Sequence, residues 1–130
     1  MAGRGRRTSS APRGGHKYPR SARVGETLRE IIADELVRID DERLEFVTVT
    51  GIEVDDELNR AHVFFDSLEG EDGDEEIIAA LSNHRIRLQG AIASQIRAKK
   101  TPILDFRPDV ALRSAERIDD ILREDRKRRG

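Results

Sequence analysis

Residues 46–65 read FVTVTGIEVDDELNRAHVFF, and this stretch decides the fold. Phe46-Val47-Thr48-Val49-Thr50 is β-branched and aromatic, a composition that suits a pleated, half-buried surface. The apolar phase changes across Gly51, from Val47 and Val49 to Ile52 and Val54, which predicts a bulge at the glycine. Asp55 to Asn59 supplies a turn of about five residues, and Arg60 to Phe65 the returning strand. A hairpin with one apolar face needs a cover, and the flanking sequence offers helices.

Upstream, Val24, Leu28, Ile31, Ile32, Leu36 and Ile39 recur at helical spacing. They predict an amphipathic helix capped at Ser21 and running to about Ile39. Asp40 to Leu44 is a polar break. Downstream, the acidic, glycine-containing segment from Asp66 to Asp74 reads as a loop. Helical spacing resumes at Ile77, Ile78 and Leu81, pauses around Ser82-Asn83-His84, and returns at Leu88, Ile92 and Ile96. Two helices, or one bent helix, are expected, with the break near Asn83 and the apolar side of the second part facing the sheet. Pro102 should end that second helix and leave Lys99 and Lys100 at its negative dipole end. Ile103, Leu104 and Phe106 predict a short third strand before Pro108. Ser114 is the expected cap of a final helix carrying Ile118, Ile121 and Leu122.

The order is helix, strand, strand, helix, helix, strand, then a C-terminal helix. It predicts an α+β domain, a three-stranded sheet with helices on one face. Residues 1–19, rich in Gly, Arg, Ser and Pro, are expected to form a disordered basic arm. The folded domain spans 20–122, and 123–130 form a frayed basic tail.

A chain of 130 residues has room for one such core. It has no cysteine, which excludes disulfides, thiolate metal sites and cysteine nucleophiles. No apolar run is long enough to span a bilayer, and the N-terminus lacks the apolar core of a secretory signal. A cytoplasmic location is expected, with no membrane partner. His16, His62 and His84 share no ligand spacing, and Asp55-Asp56-Glu57 is read as a solvated turn. The acids of 69–76 do not follow the alternation of a calcium loop. No glycine-rich phosphate cradle or nucleophile elbow occurs. The expectation is a monomeric binder: no catalytic site, no metal, no cofactor, no small-molecule substrate.

The net charge of −2 hides a segregated pattern. Residues 1–23 carry Arg4, Arg6, Arg7, Arg13, Lys17, Arg20 and Arg23 and no acid. Residues 66–76 carry seven acids and no base. Residues 77–104 carry Arg85, Arg87, Arg97, Lys99 and Lys100, again with no acid. A polyanion responds to the local field, so these five bases are the candidate RNA contacts. Gly90, Ala91, Ala93, Ser94 and Ala98 leave the helix surface low, which suits close approach of a phosphate ribbon. The competing reading has the same bases neutralised within the chain by the acids of 66–76. Composition leaves both open. The scarcity of aromatics, with four Phe, one Tyr and no Trp, argues against a base-stacking platform.

The sequence of motifs resembles the bacterial ribosome-binding factor A family. Arg23-Val24 opens the first helix, and Asp41-Glu42-Arg43-Leu44 stands where the family often has D-P-R-L. Val47-Thr48-Val49-Thr50 with Ile52-Glu53-Val54 resembles its first strand. Asp56 to Phe65 resembles its D-L-x-x-A-x-V-[YF]-[VF] segment. Thr101 to Asp109 matches its x-P-x-L-x-F-x-x-D stretch, and Ser114 to Leu122 its closing helix. The resemblance covers about residues 20–122. It implies a type II KH-like domain and a non-enzymatic factor that binds the 30S subunit and 16S rRNA. The implied role is late maturation of that subunit, including 16S rRNA 5′-end processing, and cold adaptation. Two other readings stay open, a generic KH-like binder of single-stranded RNA and an adaptor acting through its acidic loop. One departure stands out. Where the family kinks between its central helices on A-x-G, this chain has His84, Arg85 and Ile86; either the kink forms differently, with Asn83 able to take left-handed geometry there, or the helix pair is straighter than in the family.

Overall fold

In the computed structural model, which describes residues 20–97 and 100–129, strands β1 (Val47–Val54) and β2 (Arg60–Ser67) pair antiparallel. The register slips between Val49, opposite Phe65, and Gly51, opposite Phe64, so Thr50 is the extra residue of the expected bulge. Val49 and Val54 are thereby both buried although five positions apart. The five-residue loop is closed by Asp55, whose carboxylate accepts from the Asn59 amide at 2.6 Å. It also turns on Leu58, which sits at φ 59°. Asp55 therefore builds this turn, where the sequence suggested only a solvated carboxylate.

Helix α1 (Arg20–Val37) precedes the hairpin, and a 3₁₀ turn (Glu42–Leu44) fills the polar break. Helices α2 (Asp74–Asn83) and α3 (Arg85–Gln95) follow, then β3 (Ile103–Pro108) and α4 (Val110–Arg129). Strand β3 lies parallel to β2, giving a mixed sheet in the order β1-β2-β3. This is the α-β-β-α-α-β-α order and three-stranded sheet read from the sequence. One face of the sheet presents Val49, Val54, Ala61, Val63, Phe65, Leu104 and Phe106, all buried. They pack with Leu28 and Ile32 of α1, Ile77 and Leu81 of α2, and Leu88 and Ile92 of α3 in a single cluster. The alternate residues His62, Phe64, Asp105 and Arg107 are partly or fully exposed. Gly25 lets α1 lie directly on β1: a Cβ there would stand 2.5 Å from the Ile52 carbonyl oxygen.

Two expectations at the C-terminus are corrected. The final helix is capped at Asp109, whose Oδ1 accepts from the Leu112 amide at 2.9 Å, so it starts well before Ser114. The Thr50 hydroxyl, re-aimed by the bulge, donates to the other oxygen of Asp109. The helix then continues to Arg129, through the stretch expected to fray, with Arg126 to Arg129 in the last turn where they complement the dipole. None of its residues is buried.

Candidate nucleic-acid interface

The α2–α3 junction falls on His84, at φ −103° and ψ 11°. The His84 amide closes α2 on the Leu81 carbonyl, and its own carbonyl accepts the first bond of α3 from Leu88. The break is thus one residue from the expected position. Left-handed geometry plays no part in it, since Leu58 is the only non-glycine residue at positive φ among those described. Side chains hold the kink in place of small residues. His84 Nε2 lies 2.9 Å from Asp41 Oδ2. Asp41 also accepts from Arg43, at 3.1 Å from the amide and at 3.0 and 2.7 Å from the guanidinium. The bonds from Arg43 first, and from His84 second, hold the Asp41 carboxyl well below the usual carboxylate range.

The next two basic residues fasten the start of α3 on its other sides. Arg85 Nε donates to the Leu104 carbonyl of β3 at 3.0 Å, and its guanidinium carbon stands 5.6 Å from the centre of the Phe106 ring. Arg87 Nε donates to Glu35 of α1 at 2.8 Å. Ile86, between these anchored neighbours, projects outward with 87% of its surface exposed. An exposed apolar residue thus stands where the resemblance implies a glycine.

The second half of the basic run is arranged differently. Helix α3 ends at Gln95, and Ile96 is already extended at φ −115° and ψ 130°, six residues before Pro102. Ending there lets Ile96 pack against the core on a straightened backbone. No base lies in the last turn, so Lys100 does not make the expected dipole contact. Arg97 and Lys100 are exposed beyond the helix, and Lys100 Nζ donates to Asn59 Oδ1. Lys99 lies outside the described residues. Arg97 forms no ion pair among the described residues, whereas Arg87 does.

The acids of 66–76 do not neutralise this run. Their ion pairs among the described residues go to Arg113 of α4, at 2.8 Å from Asp66 and 2.8 Å from Asp74. That fork, with the Asp74 bonds contributing most, raises the Arg113 pKa further above its ordinary value. Residues to which sequence reading gave no role, Asp41, Glu35 and Arg113, therefore position the surface. On the opposite face of the sheet, His62 Nδ1 and Arg107 Nε lie 2.9 and 2.8 Å from Asp105. Burial raises the Asp105 pKa, but these two bonds outweigh it and hold the carboxyl low. No group of three or more acids and histidines placed to hold a metal occurs among the described residues. No helix among them is long and apolar enough to cross a membrane.

A family model described as ribosome-binding factor A matches residues 20–122. The chain is 40% identical over 106 residues to the ribosome-binding factor A of Rubrobacter xylanophilus, covering 81% of this chain and 86% of that protein. It is 34% identical over 109 residues to that of Trichlorobacter lovleyi, covering 83% and 89%. Among solved structures it is similar to the crystal structure of ribosome-binding factor A from Thermus thermophilus. That match has a TM-score of 0.61 and 27% identity, over 68% of this chain and 93% of that one. It is also similar, at TM-score 0.56 and 28% identity over 67% and 92% of the two chains, to a Thermus thermophilus ribosome binding factor A homology model. Those coordinates were fitted into a cryo-EM map of a 30S–RbfA complex.

Proposed function

The chain belongs to the ribosome-binding factor A family, and from that premise we propose that it binds the 30S ribosomal subunit as a non-enzymatic maturation factor. It supports late assembly of the particle, including 16S rRNA 5′-end processing, by contacting rRNA, and acts in the cytoplasm as a monomer. The observation that carries this reading is the reach of the family match, which takes in every element of the folded unit from α1 to the first half of α4.

The five bases of the acid-free run form the RNA-facing surface, in two roles. Arg97 and Lys100, exposed past the end of α3, contact phosphates directly, and Lys99 between them belongs to the same set. Arg85 holds the kink through its Nε alone, and Arg87 through its Nε to Glu35 and a terminal nitrogen to the Arg38 carbonyl at 3.4 Å. Arg85 keeps its terminal guanidinium nitrogens for phosphate, since only its Nε is bonded among the described residues. Gly90 offers an open approach, with nothing within 4 Å of where a Cβ would stand.

Sedimentation of a cell lysate tests the assembly role: the protein should run with free 30S particles. Recovery mainly on 70S ribosomes and polysomes, or with neither, would overturn it. Replacing Arg97 and Lys100 with Gln should lower the salt slope of rRNA binding by roughly 0.7–0.9 per lost phosphate contact. An unchanged slope would remove the two residues from the interface.

A further inference from the structure

The tight crossing of α1 over β1 at Gly25 has an opposite end. Toward Val37 the helix parts from the strand, and a groove of about 540 Å³ opens between them. Its floor is apolar, made by Leu36, Ile39, Leu44, Val47 and Val49. Its rim is acidic, with Asp40, Glu42 and Glu45 all exposed. None of these three forms an ion pair among the described residues. The nearby bases are already taken, Arg38 by Asp34 at 2.8 Å and Arg43 by Asp41 at 2.7 Å. Because β1 is an edge of the sheet, no strand among the described residues closes the groove from outside. Val37 stands beside it with 85% of its surface exposed.

An apolar floor under an acidic rim fits arginine, whose methylene stem lies on apolar surface while its guanidinium reaches a carboxylate. The chain carries a segment of that chemistry. Residues 1–19 contain Arg4, Arg6, Arg7, Arg13 and Lys17 and no acid. The tether has a suitable length. From the start of α1 to the groove is roughly 27 Å along an 18-residue helix. A random-coil chain of 13 to 16 residues, the number from Arg20 back to Arg7 or Arg4, has a root-mean-square reach of about 18–24 Å. Effective concentration is greatest when reach and span agree, and for short tethers it is in the millimolar range.

We infer that the α1–β1 groove is an internal docking site for the basic arm, an acidic surface that holds the arm until a polyanion competes for it. The contact is electrostatic and weak, so salt at or above the physiological range loosens it. Its consequence for RNA rests on the function proposed above. Each arginine held in the groove is withheld from random phosphate, and only a surface that also engages α3 displaces it at low concentration.

The absence of native cysteine allows a clean test. A nitroxide placed on Ser9→Cys should broaden the amides of residues 36–47 at low salt, and this broadening should disappear at 0.3 M salt. It should also disappear in the variant Asp40→Asn, Glu42→Gln, Glu45→Gln, whose exposed side chains are not needed for folding; an unchanged melting temperature checks that. Broadening elsewhere, or broadening that survives the triple substitution, overturns the inference. So does broadening seen only when labelled protein is mixed with unlabelled ¹⁵N protein, which would make a second copy the occupant. In RNA binding, the triple variant should gain roughly three-fold in affinity with the native arm. It should gain nothing beyond a simple charge effect when Arg4, Arg6, Arg7 and Arg13 are Gln. Equal gains in both backgrounds overturn the competition, while the spectroscopic result stands or falls independently of RNA.

Discussion

Helices α1 and α4 are of nearly equal length, 18 and 20 residues, and each carries an apolar stripe at helical spacing. They are used in opposite ways. α1 buries Leu28, Ile31 and Ile32 against the sheet, whereas α4 buries no residue and leaves Ile118, Ile121 and Leu122 half exposed or more. The difference lies in what surrounds each helix. α1, α2 and α3 already cover the inner face of the sheet, and α4, which starts beyond the end of β3, takes no place in that core. Amphipathic spacing shows that a helix has a face to bury, and the topology decides whether a surface is available. α4 is held instead at its first turns, by its Asp109 cap and by the Arg113 fork to Asp66 and Asp74.

The sharpest way to break this comparison is to truncate one residue on each helix. Leu28→Ala in α1 should cost about 2–5 kcal/mol in urea unfolding, because the site is closed on all sides. Ile118→Ala in α4 should stay within about 0.5 kcal/mol. A comparable loss at Ile118 would mean that α4 is packed in solution.

Gly25→Ala asks how closely α1 is seated. Alanine is the better helix former by about 1 kcal/mol. Here, however, the added methyl would meet the Ile52 carbonyl oxygen at 2.5 Å, and backbone cannot step aside as a flexible side chain can. Overpacking of this kind costs about 1–3 kcal/mol, so the net change should be destabilising. A gain in melting temperature would show that α1 has room to lift from β1.

Arg113→Ala examines the other helix at its anchor. Two partly buried carboxylates would lose their shared partner, at a cost of about 1–2 kcal/mol. Amide exchange should accelerate in 110–129 and leave the strands unchanged. Uniform acceleration would make the fork part of the global fold rather than a local tether.

The sequence allowed much of the body to be read and little of how its parts are fastened. The hairpin, the bulge and the helix pair follow from apolar phase, which is a local signal. The three-stranded sheet follows from the order of elements. The end of α3 was misplaced because Pro102 marks where a helix cannot continue, while Ile96 leaves the helix earlier to pack on the core. Asp109 had a readable cap signal directly after Pro108, and Ser114 drew attention from it. How the kink is fastened was beyond sequence reasoning for another reason. Asp41 and His84 are 43 positions apart, as are Arg87 and Glu35 by 52, and no periodicity connects such pairs. Of the five predicted contacts, Arg97 and Lys100 have the expected exposure, and Arg85 and Arg87 turned out to serve the scaffold as well.

The smallest expected effect concerns the fastening of α1 to that kink, which α4 lacks entirely. The turn after α1 reaches the α2–α3 junction through Asp41, whose pKa is depressed by Arg43 and His84. A carboxyl lowered in the folded state adds stability that is fully present above its unfolded value of about 3.9 and is lost as pH falls below it. Wild type should therefore exceed Asp41→Asn in stability at about pH 5. The margin should close as the pH drops from about 4 toward 2, because the protonated acid and the amide are then alike in charge. Amides 84–88 should exchange faster in Asp41→Asn at neutral pH. A margin undiminished at pH 2 would assign the effect of Asp41 to packing of the 3₁₀ turn, and would leave Arg85 and Arg87 as the residues that set the kink.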